Sequence, residues 1–205
     1  MLRLNLNIFK EYEIFYRNAD PPLNNFAKGN VLLIHGQSFS SSTWLQHSTM
    51  EVIAAAGYRV IAIDLPGCGK TRGPAVPDEK KAEILLRTIR ALELDSVIII
   101  GHSMAGQYII PLLGNERIRC IVAIALSNTN MVPLNAENIK TPVLIVWGDK
   151  DTSLGPTCAS NLKRLPNSKL LKITSAGHAC YLNDPQLFQS ACLNFFDLVR
   201  HYSNC

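Results

Sequence analysis

Ser103 lies in Gly101-His102-Ser103-Met104-Ala105-Gly106, directly after the apolar run Val97-Ile98-Ile99-Ile100 and directly before a helical pattern. A serine between small residues on a sharp strand-to-helix turn has its hydroxyl lifted clear of the backbone, ready for nucleophilic attack. Such a turn strains the serine backbone, so the residues two positions away must be small. Gly101 and Ala105 meet that need, with Ala105 standing where a glycine is usual and Gly106 following it. A serine that only capped the next helix would leave both small neighbours without a reason.

A serine hydroxyl is a weak nucleophile until an imidazole takes its proton and a carboxylate orients that imidazole. Downstream, the run Val143-Leu144-Ile145-Val146-Trp147 ends in Gly148-Asp149-Lys150-Asp151, which puts two aspartates at the carboxyl end of an expected strand. A competing role for Asp151 is to cap the helix that follows. Ser175-Ala176-Gly177-His178 comes after another expected strand and before the last helix, so His178 falls on a loop at the same sheet edge. Of the other histidines, His35 and His102 lie in motifs of their own, His47 in a helical segment and His201 near the chain end. Negative charge building on an acyl oxygen needs N–H donors, each worth about 3 kcal/mol in comparable sites. Met104 is one expected donor. The second is expected from His35-Gly36-Gln37-Ser38-Phe39, with Gln37 preferred and Ser38 the alternative.

These groups converge only if a sheet gathers them. Period-two patterns predict strands over 2–8 and 12–16, forming an edge hairpin, followed by a loop over 18–30. Continuous apolar runs at 31–34 and 97–100 predict strands buried on both faces, and further strands are expected at 58–63, 120–126, 143–147 and 169–173. Helical patterns cover 43–56, 78–92, 104–113, 156–164 and 185–202, with Pro185 suited to a first helical turn. About eight strands alternating with helices imply an α/β fold, a mostly parallel sheet with helices on both faces and ligands at the strands' carboxyl ends. Only residues 127–142 separate the strand near Leu126 from the one starting at Val143, too little for a cap domain, so the site is expected to be shallow and open. Such a site suits short acyl groups better than a long lipid.

Composition narrows the partners. The 205 residues are 47% hydrophobic and 18% charged, enough for one domain over 1–205 with its own core. Twenty basic and 16 acidic residues are scattered to a formal charge of +4 with no basic run longer than a pair, so no nucleic-acid partner is expected. The glycines of Asp64-Leu65-Pro66-Gly67-Cys68-Gly69 read as a structural turn, because Lys70 has the wrong spacing for a phosphate loop. The cysteines at 68, 120, 158, 180, 192 and 205 lack Cys-X-X-Cys spacing, so neither a metal nor a disulfide framework is expected. With no signal peptide and no long apolar segment, a cytoplasmic monomer away from membranes is the expectation.

Several segments together resemble the alpha/beta hydrolase domain-containing protein 14 family: Leu33-Ile34-His35-Gly36, Phe39-Ser40-Ser41-Ser42-Thr43-Trp44, Ala62-Ile63-Asp64-Leu65-Pro66-Gly67, Lys140-Thr141-Pro142 and Gly177-His178-Ala179-Cys180-Tyr181-Leu182. The resemblance spans nearly the whole chain and implies the α/β-hydrolase fold and a cofactor-free serine hydrolase of the cytosol and nucleus. The substrates it implies are small activated esters or acylated protein lysines, with coenzyme A as a proposed acyl acceptor. By resemblance to hydrolases with Gly-Asp-X-Asp at this point, Asp151 rather than Asp149 is the acid, and the triad carries over as Ser103, Asp151 and His178. Vertebrate members have a Ser-Pro-Ser-Leu-Ser-Gly elbow, where this chain has the sequence around Ser103 given above. A non-catalytic interaction module on the same fold is the remaining alternative.

Overall fold

Apolar runs such as Val31-Leu32-Leu33-Ile34 can be buried only if both faces of their sheet are covered. The structure, a computed structural model, describes residues 5–9, 12–22 and 26–202. Its strands are β1 (Asn5–Phe9), β2 (Tyr12–Ala19), β3 (Asn30–Ile34), β4 (Arg59–Ile63), β5 (Val97–His102), β6 (Ile118–Ile124), β7 (Val143–Gly148) and β8 (Ser168–Ile173). They form one eight-stranded sheet in the order β1-β2-β4-β3-β5-β6-β7-β8. From β4 through β8 every neighbouring pair is parallel. The antiparallel hairpin β1–β2 joins through an antiparallel β2–β4 pairing. The expected start of the first strand, at residues 2–4, lies outside the described residues.

Among the described residues seven α-helices complete the layers: α1 (Ser41–Gln46), α2 (Thr49–Ala55), α3 (Lys81–Ala91), α4 (Gly106–Ile109), α5 (Leu154–Leu162), α6 (Cys180–Asn183) and α7 (Pro185–Tyr202). Alternation along each strand divides the core between them. Leu32, Ile34 and Ile99 pack with residues of α3, α4 and α5, whereas Val31, Leu33, Ile98 and Ile100 pack with residues of α2, α6 and α7. The fold is therefore the expected α/β-hydrolase sandwich without a cap. Residues 127–142 hold only the short 3-10 turns Thr129–Met131 and Ala136–Asn138.

Two expected helices are broken, each for a local reason. The single helix over 43–56 is α1 followed by α2, because Ser48 turns the chain through a left-handed conformation (φ 55°). The carbonyl of His47, freed at that break, accepts a hydrogen bond from Gln189 Nε2 of α7 (3.0 Å). The helix over 104–113 is instead the 3-10 turn Ser103–Ala105, α4 and the 3-10 turn Ile110–Leu112. Pro111 has no N–H to continue the α-helical pattern. Among the described residues, Cys68, Cys120, Cys158, Cys180 and Cys192 are free thiols. No described helix is long and apolar enough to cross a membrane.

Candidate active site

The buried strand β5 carries Ser103 to the sheet's carboxyl edge, where Ser103 takes φ 52°, a left-handed value for a residue with a side chain. That conformation depends on two missing side chains. A Cβ at Gly101 would stand 2.2 Å from Ile109 Cδ1 and 3.1 Å from Ala105 Cβ, so Ala105 fits because Gly101 leaves room for it. A Cβ at Gly106 would stand 2.2 Å from the Ser127 carbonyl oxygen, so α4 starts hard against the chain leaving β6. The Ser127 N–H in turn donates to the Ser103 carbonyl (2.9 Å) and pins the elbow from below.

The acid and imidazole loops are tied to each other in the same way. At the end of β7, a Cβ on Gly148 would lie 2.3 Å from the Ala176 carbonyl oxygen, and the Lys150 N–H donates to that carbonyl (2.9 Å). Beyond it the Asp151 carboxylate is fully employed. Oδ1 accepts from Ser153 N (3.0 Å) and Ser153 Oγ (2.9 Å), and Oδ2 accepts from Gly155 N (3.0 Å) and from His178 Nδ1 (2.7 Å). Asp151 thus holds the first turn of α5 and the imidazole at once. Burial alone would push its carboxyl up, but the hydrogen bonds from His178 and Ser153 outweigh burial and hold it below its ordinary value.

An ionised carboxylate only accepts hydrogen bonds, so His178 Nδ1 must donate to Asp151, which leaves Nε2 as an acceptor in the neutral ring. Nε2 lies 2.9 Å from Ser103 Oγ, and the hydroxyl is the donor. Asp151 is buried, with 1% of its side chain exposed, whereas 37% of the His178 side chain is exposed. A deep anchor thus carries an accessible working ring. Asp149, the other aspartate of the loop, gives its backbone N–H to the Ile173 carbonyl (3.1 Å).

Met104 is the second residue of the helical turn Ser103–Ala105, whose first N–H groups have no intrahelical acceptor. Gln37 occupies a tight turn closed by the Phe39 N–H on the Gly36 carbonyl (3.1 Å). Gln37 and Met104 line the same cleft, of about 310 Å³, together with Cys68, Lys81, Gln107 and Tyr108. Gly36 sits so close to the elbow that a Cβ there would lie 2.5 Å from His102 Nδ1. His35 braces this loop from inside the fold. Its Nδ1 is 2.7 Å from the Gly36 carbonyl and so donates, while Nε2 accepts from Leu65 N (3.0 Å). Burial pushes its imidazole down, in keeping with a neutral bracing role, against the opposing pull of the Gly36 carbonyl and Asp64.

One feature of the site escaped motif reading. The His178 ring leans on a wall of aromatic side chains: His102 lies 4.9 Å from it between centroids, Tyr181 and Phe39 lie 5.1 and 5.6 Å from His102, and Trp44 stacks on Tyr181 at 4.7 Å. Phe39, Trp44 and Tyr181 come from two of the segments that carry the family resemblance, so the signal was present as motif but not as contact. Burial first, then the neighbouring His178 ring, hold the His102 imidazole down to about 3. Neither of its buried ring nitrogens makes a hydrogen bond among the described residues. Among the described residues no cluster of three or more His, Cys, Asp or Glu side chains could hold a metal ion.

With this geometry in view, known proteins give a consistent answer. Residues 31–137 match the model of the alpha/beta hydrolase family. The chain is 37% identical to human Protein ABHD14A over 90% of its own length and 69% of that protein's. It is 37% identical to the rat protein named "Putative protein-lysine deacylase ABHD14B", over 89% of its own length and 90% of that protein's. The chain belongs to the ABHD14 family of alpha/beta hydrolases. The fold of this ABHD14 family member is also that of a "predicted CIB-like hydrolase" solved from Thermoplasma acidophilum, with TM-score 0.82, 22% identity, and 95% of this chain and 97% of that one covered. The matched segment 31–137 holds Gln37, Ser103 and Met104, while Asp151 and His178 follow it on the later strands of the same sheet.

Proposed function

We propose that the protein is a serine hydrolase that cleaves short acyl esters or thioesters through an acyl-Ser103 intermediate. The observation that carries this is the continuous hydrogen-bonded line from Ser103 Oγ through His178 to Asp151, with the tautomer that line requires. Ser103 Oγ bonds to the substrate carbonyl carbon as His178 Nε2 takes the hydroxyl proton, and the Met104 and Gln37 N–H groups hold the oxyanion. When the intermediate collapses, His178 returns the proton to the departing alcohol or thiol. Water, deprotonated by the same ring, then attacks the acyl-serine and releases the acid. Asp151 orients the ring and stabilises its cationic form without taking the proton.

A second acyl donor, an acylated protein lysine, is suggested by the relatives, since ABHD14B proteins carry the name "Putative protein-lysine deacylase". An acylated lysine would load Ser103, and coenzyme A in place of water would leave with the acyl group as a thioester. Purified protein assayed on p-nitrophenyl acetate, and on an acetyl-lysine peptide with and without coenzyme A, separates these. Ester turnover lost in Ser103→Ala supports the hydrolase. Acetyl-coenzyme A formation lost in the same variant assigns transfer. Ester turnover equal in wild type and Ser103→Ala contradicts both and leaves an interaction module.

A further inference from the structure

The cleft beside Ser103 has a side. In the hydrolytic cycle His178 returns its proton to the leaving group, so the leaving group must lie on the His178 side of the carbonyl. Gln37 and Met104 line the cleft and His178 does not, which places the cleft on the acyl side.

Among its described lining residues Lys81 alone carries a formal charge. Lys81 opens α3, the end of a helix where the dipole disfavours a cation, so its ammonium is held there by side-chain contacts rather than by the helix. Its stem is nonetheless held inward, with only 12% of the side chain exposed. The ammonium donates to Gln107 Oε1, one helical turn beyond Ser103, and sits 5.7 Å from the centre of the Tyr108 ring. On the solvent side it donates to Asp78 Oδ1 (2.5 Å), a carboxylate with 84% of its side chain exposed and therefore well screened by water. An ammonium has three donors, and the third has no hydrogen-bond acceptor among the described residues.

We propose that Lys81 receives a carboxylate at the far end of the acyl chain, so that the preferred substrates are monoesters or monothioesters of short dicarboxylic acids. The inference rests on the serine-hydrolase function proposed above. The chemistry is unchanged: Ser103 Oγ bonds to the ester carbonyl, the alcohol leaves with the proton from His178, and water releases the dicarboxylic acid while its free carboxylate stays on Lys81.

Phenyl half-esters of glutarate, adipate and pimelate, assayed against phenyl esters of neutral acids of matched length and corrected for the Ser103→Ala background, test this. At least one half-ester should show kcat/KM about tenfold above its neutral match, as expected for one charge-assisted hydrogen bond in a partly screened cleft. The ratio of anionic to neutral kcat/KM should fall to near or below unity in Lys81→Gln and persist in Lys81→Arg. Because a ratio is read, loss of folded enzyme does not distort it. Neutral esters turned over faster than every half-ester overturn the inference and leave the hydrolase standing, as does a ratio unmoved by Lys81→Gln. Preference for an anionic leaving group, read with 4-carboxyphenyl against phenyl acetate, overturns the acyl-side placement. Turnover of no ester together with failure of a fluorophosphonate to label Ser103 removes the hydrolase and this inference with it.

Discussion

At the scale of single residues, the site depends on which atoms donate. Asp151 fixes His178 with Nδ1 protonated, and replacing its carboxylate by an amide offers the ring a donor where an acceptor is needed. Asp151→Asn is therefore expected to lower kcat about ten-thousandfold while far-ultraviolet circular dichroism stays that of the wild type. His102 gives a different residue-scale signature, one of stability. Its folded value is depressed to about 3 while the unfolded chain binds a proton near the ordinary imidazole value of about 6.5. Above that value both states are neutral and nothing is lost. As pH falls, the unfolded chain protonates first, so stability drops by about 1.4 kcal/mol per pH unit from this group until the folded ring also protonates. Urea midpoints of wild type and His102→Gln measured from neutral pH to acid should therefore converge as pH falls. Parallel curves would show that His102 is not the buried neutral group described. Asp151 adds acid lability of the same sign. Its folded value is also depressed, so its contribution is present above the ordinary carboxylate range and is lost as pH falls through its folded value.

At the scale of elements, close approach of backbones does the positioning. Gly106 lets α4 start against Ser127, whose N–H holds Ser103 from beneath. Gly106→Ala should cost about 3 kcal/mol in chemical denaturation and lower kcat as well, because relief of the clash moves the strand that carries Ser103. Much of this was legible from sequence. Val31–Ile34 and Val97–Ile100 announced buried parallel strands because nothing polar interrupts them, and Ser103, Asp151 and His178 fell at strand ends where such sheets gather function. Other parts were not legible, for physical reasons. The left-handed turn at Ser48 is stabilised by Gln189, a residue far away in the chain, and no local pattern reports it. The brace from the Lys150 N–H to the Ala176 carbonyl joins two loops through backbone atoms that any residue possesses. Lys81 lies inside the helical pattern over 78–92 with nothing local to single it out, and only folding sets it beside Gln107 and Met104.

At the scale of the whole molecule, a sheet with its core divided over two faces holds the carboxyl edge rigid, and residues 127–142 leave that edge without a cap. A cleft of about 310 Å³ without a cap gives a long alkyl chain little surface to be buried against. Acyl-chain ladders of p-nitrophenyl esters should therefore show kcat/KM greatest at short lengths and declining toward dodecanoate, and a maximum at long chains would speak against the open site. In the proposed mechanism Ser103, His178 and Asp151 act as one activated nucleophile. Its most direct test is intact-protein and peptide mass spectrometry of the folded chain after exposure to a fluorophosphonate. One adduct is expected, on Ser103, formed far more slowly in His178→Ala and absent in Ser103→Ala. A folded protein that takes no adduct, or takes it on another residue, would contradict it.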